Sequence, residues 1–496
     1  MTASRTISRR RFLEASAALG GGLLVGCRPG GTGLFGGPLA VPDDPEAFAS
    51  NAWVAIDTRG RVTVTCHRNE MGQDIHTSLT MLVAEELEVD PRGVEVIQAP
   101  VDPEHYNNAL LGAQITGGST SVRDAWEPLR QAGAAAREML VAEAAAVWDT
   151  DPSSCRAEQG RVFHPDHGAI GYGDLAAAAS RRAVPQTPRL KTPDQFRVIG
   201  SDLPRLDGAE KARGETRYGI DVSLPGMTHA ALVACPVLGG RVAGFDAKAV
   251  RSQPGVRAIV DLGEAVAVVA DHWDQARTAL DQIEVVWEEG PAATLDDAKI
   301  AAILAEGARK PGAKVKTSGE AASRLGGQGT LSAEYSTQLL AHMTLEPPNC
   351  LARVDEEGVD VWVSTQYPQG AQAVAAEAAG VDPAWVRIHS QPIGGGFGRR
   401  LDVDFIDQTV RIAKSVPGIP VKLIWTREED VTHDFYRPPS LHVMRGRVEA
   451  GRIDAFEHKM ISPSVTERAF PVFVAEGLDP FMTEGTADFS YSIPHL

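Results

Sequence analysis

The stretch Ile393-Gly394-Gly395-Gly396-Phe397-Gly398-Arg399-Arg400 decides how this chain is read. Three successive glycines leave the backbone bare, so an anionic ligand can lie directly against main-chain N–H groups. The two arginines that follow offer planar, fork-shaped donors of the kind phosphate accepts. A glycine run alone is a common turn. Two further segments change its weight. Glu70-Met71-Gly72-Gln73 and Thr116-Gly117-Gly118-Ser119-Thr120-Ser121 each set small or polar residues just ahead of a helical pattern. That is where unpaired N–H groups collect an anion.

Periodicity supplies the surroundings. Residues 52–57 and 61–66 read as a strand pair across Arg59-Gly60, the second alternating as V-T-V-T. After Gln73, Ile75, Leu79, Leu82, Val83 and Leu87 share one helical face. A second helix is expected after Ser121, from Val122, Trp126, Leu129, Ala136 and Leu140, with Pro128 kinking or restarting it. Residues 265–269 have the look of a buried strand; 331–335 and 359–363 read as strands of a last unit. The class implied is α+β, or mixed α/β, with several layered sheets.

At 496 residues the chain is too long for one core, and roughly two to four domains are expected. A formal charge of −17 argues against nucleic acid or an anionic membrane surface as partner. An anionic cofactor must therefore be held by local donors. Cys27, Cys66, Cys155, Cys235 and Cys350 form no C-x-x-C pair, so neither a zinc knuckle nor an iron–sulfur cluster is encoded. Histidines lack H-x-x-x-H spacing, and no metal is expected on protein side chains. Ser8-Arg9-Arg10-Arg11-Phe12-Leu13, followed by small and apolar residues, reads as a twin-arginine export signal. Leu24-Val25-Gly26-Cys27 resembles a lipobox, which would place a lipid on Cys27. Residues 28–50 read as a Gly/Pro-rich tether.

Taken in order and with their spacers, the three segments resemble the molybdopterin-binding large subunits of the xanthine oxidase/aldehyde oxidase family, in the branch of the large (beta) chains of isoquinoline 1-oxidoreductase. The resemblance runs from about residue 52 to 496. It implies a multi-domain molybdenum hydroxylase large-subunit architecture. Residues 51–200 would be an N-terminal molybdopterin-binding segment, 201–290 an a/b hammerhead domain, and 291–329 a linker. Residues 330–496 would be the first molybdopterin-binding domain, incomplete at its C-terminus, with a second half encoded separately or missing. By the same resemblance Gly72 and Gln73 approach the pterin, and Gly118, Ser119, Thr120 and Ser121 cradle it or its pyrophosphate. Gly395, Gly396, Phe397 and Gly398 would line the metal side, next to Arg399 and Arg400. Arg437, in Tyr436-Arg437-Pro438, would orient a ring substrate; His342 and Glu346 match a strand-end network.

Two departures stand out. Leu401 takes the place of an acidic residue, which counts against purine recognition of the xanthine oxidase kind. The family's G-x-G-E segment, bearing the catalytic glutamate, has no counterpart, so the catalytic base is unassigned; Glu70 lies nearest, in a structural context. The implied chemistry is hydroxylation of N-heterocycles or aldehydes with water as oxygen donor. Molybdenum would be held by molybdopterin, as the cytosine dinucleotide. Electrons would leave through iron–sulfur clusters on a small partner subunit to an acceptor such as a cytochrome. The expected location is the periplasm, with membrane contact only through export or a lipid anchor. The rival expectation is a catalytically silent exported protein, truncated or assembly-type.

Overall fold

The computed structural model describes residues 48–496. The export signal, the lipobox and the tether as far as residue 47 lie outside them. Strand β1 (Phe48–Asn51) already belongs to a sheet, so the tether ends sooner than expected. That sheet runs β1-β2-β3-β4, with β2 (Val54–Ile56), β3 (Val62–Cys66) and β4 (Val94–Gln98). The Asp57 carboxylate closes the β2–β3 turn by accepting from the N–H groups of Arg59 (3.0 Å) and Arg61 (2.7 Å). Helix α1 (Ile75–Leu87) crosses from β3 to β4, which pair in parallel.

The apolar face of α1 is buried against Ala125, Leu129, Ala132, Ala136 and Leu140 of α2 (Ser121–Trp148). Close approach requires Gly133, because a Cβ there would stand 2.5 Å from the Val83 carbonyl oxygen. Of the two outcomes expected at Pro128, a restart does not occur: the helix continues unbroken for 28 residues. One missing N–H in so long a helix is outweighed by the packing of the turns on either side of it. A small sheet of β5 (Arg156–Glu158), β6 (Arg161–His164) and β7 (Gly168–Gly171), with α3 (Tyr172–Ala179), completes this layer.

The chain leaves the layer along a track laid by two buried carboxylates of α1. Glu85 Oε2 accepts from the N–H groups of Arg197 (2.9 Å), Val198 (2.7 Å) and Ile199 (2.9 Å). Glu86 pairs with Arg130 at 2.7 Å and Arg137 at 3.3 Å. Burial would raise the Glu85 pKa, but Lys191 and those three N–H groups outweigh it and hold it low. The segment is thereby delivered to the N-terminus of α1.

Next come β8 (Thr228–Ala234), β9 (Arg241–Asp246), β10 (Val256–Asp261), β11 (Ala265–Ala270), α4 (Trp273–Leu280) and β12 (Glu284–Glu288). All six residues of β11 are buried, and they alternate between two cores. Ala265, Ala267 and Val269 face one cluster; Val266, Val268 and Ala270 face another that includes Ala276 and Ala279 of α4. The expected linker is not featureless, because it contains α5 (Asp297–Arg309), capped by Asp296 accepting from Lys299 N at 2.8 Å.

After β13 (Thr330–Thr337) follow β14 (Asn349–Asp355), β15 (Gly358–Val363), α6 (Pro368–Ala379), β16 (Val386–Ser390), α7 (Asp404–Ala413) and β17 (Val421–Ile424). Strands β14 to β17 join β8, β10 and β11 in one sheet ordered β10-β11-β8-β17-β14-β15-β16. The parallel pair β17–β8 is the seam. A boundary near residue 290 therefore does not separate two cores; one cluster runs from Ala230 to Trp425 across it. Finally β18 (Ser440–Glu449) and β19 (Arg452–Ile461) make an antiparallel ribbon with β13. Helix α5 meets it where Lys459 Nζ donates to the Ala308 carbonyl at 2.6 Å.

Gly133→Ala tests the α1–α2 contact. The gain of about 1 kcal/mol in helix propensity is overridden by a clash costing roughly 1–3 kcal/mol. The expected outcome is a lower urea midpoint followed by far-UV circular dichroism; an unchanged or higher midpoint would refute the packing argument.

Candidate functional site

Two of the three segments singled out in the sequence meet at one side chain, Gln366, just past the carboxyl end of β15, and the third is hydrogen-bonded to both. Its Nε2 donates to the Thr116 carbonyl (2.9 Å), and its own carbonyl accepts from Thr116 N (2.8 Å). Its Oε1 accepts from Gly398 N at 3.2 Å, and its N–H donates to the Arg400 carbonyl at 2.9 Å. The first segment joins through Asn69 N to Thr116 Oγ1 (2.9 Å) and Ile393 N to the Glu70 carbonyl (2.9 Å). A Cβ at Gly396 would stand 2.6 Å from Gln366 Oε1 and 3.0 Å from Met71 Sδ, so only glycine fits between them. Sequence reading missed Gln366. The available signal was the polar triplet Ser364-Thr365-Gln366 following the alternating strand, since ligands of α/β sheets gather at carboxyl strand ends.

The surface over this junction is strained and open. Ser119 (φ +53°), Met343 (φ +47°), Phe397 (φ +55°) and Asp74 (φ +62°) are non-glycine residues in the left-handed region. Such conformations persist where surrounding contacts over-determine them, often at ligand sites. Phe397 is 73% exposed and Leu345, whose backbone nitrogen lies beside Gly395, 90%. Gly118 and Ser119 are exposed at the start of α2, where no side chain caps the first turn. Its N–H groups are left as donors for an anion.

Several sequence-assigned residues take other roles. Arg399 and Arg400 do not present guanidinium groups to a phosphate; both are 0% exposed. Arg399 forks onto Asp404 at 2.9 Å and reaches Asp434 at 3.2 Å. Burial would lower its pKa, but Asp404 overrides this and raises it. Arg400 Nη2 donates to the carbonyls of Glu346 (2.7 Å) and Pro347 (3.1 Å). Burial pushes the Arg400 pKa down to about 10, with Glu346 opposing. A buried guanidinium must find a carboxylate or carbonyl inside the protein, and these two did. Thr120 likewise turns inward, its Oγ1 donating to the Gly117 carbonyl (2.7 Å) and accepting from Asn108 Nδ2 (2.7 Å). Ser121 is buried. Gly72 and Gln73 are exposed. Arg437 is exposed too, and its backbone pairs with Leu340 on the approach to the loop containing His342.

Neither glutamate in the junction has a free oxygen for chemistry. Glu70 accepts from the N–H groups of Gly72 (2.6 Å) and Ile75 (2.8 Å), capping α1, and pairs with Arg205 (3.3 Å) and Lys211 (3.4 Å). Burial would raise its pKa, yet Lys211 and Gly72 N–H hold it low. Glu346 accepts from Gly394 N (2.8 Å), Ile220 N (3.1 Å) and Asn349 Nδ2 (2.9 Å). Among the described residues no group of three or more His, Cys, Asp or Glu is arranged to hold a metal. Bare amides, an uncapped helix start and a strained exposed rim fit an elongated anionic organic group instead.

Asp207 links this junction to α1 through Arg205 (2.9 Å) and Lys211 (2.6 Å). Burial opposes ionisation, but the Arg205 and Lys211 contacts prevail and set its pKa to about 2, below the ordinary 3.8. A folded-state value below the unfolded one stabilises above the unfolded pKa and is lost as pH falls through the folded one. Acid unfolding of the wild type should therefore steepen between about pH 4 and pH 2, and Asp207→Asn should flatten that part of the curve. Superimposable acid-unfolding curves would remove Asp207 from this role.

Two family models described as molybdopterin cofactor-binding domain match residues 308–474 and 4–242. The beta chain of isoquinoline 1-oxidoreductase from Brevundimonas diminuta is 29% identical over 94% of this chain and 65% of that protein. A membrane-bound aldehyde dehydrogenase (pyrroloquinoline-quinone) of Gluconacetobacter polyoxogenes is 30% identical, covering 96% of this chain and 63% of its own length. The large molybdopterin subunit of nicotinate dehydrogenase from Eubacterium barkeri is 27% identical over 53% of this chain and 70% of that one. The chain thus spans just under two thirds of the first two relatives' length. It belongs to the xanthine oxidase/aldehyde oxidase family, as a molybdopterin-binding large-subunit chain.

Proposed function

We propose that this chain is the molybdopterin-binding part of an exported molybdenum hydroxylase that oxidises N-heterocycles or aldehydes with water as the oxygen source. The observation that carries the reading is the junction at Gln366, where the three amide-rich segments are hydrogen-bonded into one surface. Bound there, molybdopterin supplies a two-electron redox centre and a Lewis acid. The chain's own part is to bind and orient. Gly72 and Gln73 border the pterin; Gly118, Ser119 and the first-turn amides of α2 receive its phosphate end; Gly395 to Gly398 form the metal-side wall. A cytosine dinucleotide would extend along the α2 start, where a second phosphate finds donors without a basic side chain. Exposed Phe397 and Arg437 are suited to receive a flat ring from the open side.

Electrons require a separate iron–sulfur subunit and an acceptor such as a cytochrome, since the chain's cysteines have no cluster spacing. The twin-arginine pattern supports export to the periplasm, with Cys27 as a candidate lipid anchor. A second reading, a catalytically silent exported chain that holds partial cofactor or none, draws on the fully occupied oxygens of Glu70 and Glu346. On the main reading, residues corresponding to the part of the relatives that this sequence does not match complete the catalytic set.

Metal analysis decides between these. Expressed with an iron–sulfur subunit in a host that makes the cytosine dinucleotide, the wild type should carry molybdenum in stoichiometric amount and release that nucleotide on denaturation. Gly396→Val, which drives a side chain into Gln366, should lose both while keeping its circular dichroism. Absence of molybdenum from the wild type would end the proposal.

A further inference from the structure

We propose that the β18–β19 hairpin binds one soft monovalent metal ion, Cu(I), between His442, Met444, His458 and Met460. The site uses none of the residues of the Gln366 junction and does not rest on the molybdopterin reading. The two strands repeat one pattern: His442-Val443-Met444 on β18 and His458-Lys459-Met460 on β19. Alternate residues of a strand share a face, so each strand presents an imidazole and a thioether to one side. Register decides whether the two pairs meet. His442 stands directly opposite Met460, and Met444 directly opposite His458. Opposed residues of an antiparallel ladder point to the same face, with Cβ atoms about 4.5–5.5 Å apart. The result is a square of alternating nitrogen and sulfur donors. Ala450 (φ +49°) and Gly451 (φ +76°) set this register at the turn, with a bulge between Arg447 and Val448. A slip of one residue would send one pair to the opposite face.

The histidines already converge across the centre of the square. His442 Nδ1 lies 2.8 Å from His458 Nε2, and the rings stack with centroids 5.1 Å apart. The far nitrogen of His442, Nε2, lies 2.8 Å from Ser440 Oγ, which is 2.7 Å from Thr337 Oγ1. With its Nε2 proton donated to Ser440, His442 keeps the Nδ1 lone pair facing His458. A hydrogen bond from the second ring nitrogen is what orients a metal-binding imidazole. In the empty hairpin a proton sits between Nδ1 and Nε2; the metal takes its place. That proton passes to Nδ1 of His458, so neither ring gains charge. The two nitrogens need only part to about 3.3 Å, the span of two ligands about 2.0 Å from a tetrahedral centre. All four side chains are half-buried, which shields an ion yet leaves it a way in.

The donor set chooses the ion. Thioethers select Cu(I), whereas zinc takes thiolate, imidazole and carboxylate. Two imidazoles and two thioethers carry no charge, which suits a singly charged ion better than a doubly charged one. The charged neighbours alternate to the other face: Arg445 pairs with Glu457 at 3.4 Å, and Lys459 donates to the Ala308 carbonyl. On β13, Glu334 opposes Val443 and so shares that other face. Methionine on a half-buried sheet is ordinarily packing. Here two of them are crossed with two hydrogen-bonded histidines that lie 16 residues apart in sequence, an arrangement packing does not require.

The test is anaerobic Cu(I) titration of the full chain against a chromogenic chelator. A Cys27→Ser/Cys155→Ser background removes the thiols other than the buried Cys66, Cys235 and Cys350. One Cu(I) per chain should be retained, with nitrogen and sulfur neighbours in X-ray absorption, and excess Zn(II) should not displace it. Met444→Leu/Met460→Leu conserves side-chain volume and should keep the metal-free melting temperature, while Cu(I) affinity falls more than about 100-fold. Equal affinity in this variant overturns the proposal. Ag(I) added to unsubstituted protein labelled with methyl-13C methionine gives a second readout that needs no variant fold. The Met444 and Met460 methyl resonances should shift; if they stay in place at one equivalent, the hairpin is no metal site. Molybdenum content is not read in either measurement, so their failure leaves the cofactor reading untouched.

Discussion

The Gln366 carboxamide is the contact on which the rest of the site depends. One end reaches Thr116, 250 residues away in sequence, and the other the glycine loop at Gly398. The side chain is only 2% exposed, so each end must be satisfied by protein. A buried amide that loses a partner costs about 1–3 kcal/mol, and that cost disfavours any arrangement in which the two segments drift apart. A Gln is suited to the task because one group both donates and accepts. An acid or a base at the same place would satisfy only one of the two loops.

Around that contact the two arginines act as internal clamps. Arg400 ties the glycine loop to the Glu346 turn, and Arg399 ties it to Asp404 and Asp434. Each guanidinium is stacked near aromatic rings: Arg399 lies 5.6 Å from the Trp425 centroid and 5.4 Å from Phe435, Arg400 5.3 Å from Phe405. Desolvated charge so paired is costly to leave single, which favours one relative placement of the loops over near alternatives. The outcome is a rigid rim on which Phe397 and Leu345 stand exposed. Rigidity there is a precondition for holding a ligand by main-chain amides, which cannot adjust as side chains do.

Much of the frame could be read in the sequence. The three-to-four spacing of Ile75, Leu79, Leu82, Val83 and Leu87 gave the buried face of α1, and the V-T-V-T alternation gave β3. The glycine positions were also legible, because no other residue serves where backbones approach a ligand or each other. The misreadings share a cause. A restart of α2 at Pro128 was one of two outcomes expected on local grounds, whereas the packing of a 28-residue helix kept it continuous. The 291–329 stretch looked like a connector, yet α5 forms there because Asp296 caps it and the β18–β19 ribbon receives it.

By itself, then, the sequence determined which backbone segments are bare enough to meet an anion, and the helical and strand periods that follow them; both are local properties of residue type. Tertiary structure alone decided that those segments touch, that β8 and β17 fuse two expected units into one sheet, and that Arg399 and Arg400 face inward. Burial is the physical reason. Whether a guanidinium meets solvent, a ligand or an aspartate depends on what the far ends of the chain place beside it. No spacing along the chain records that.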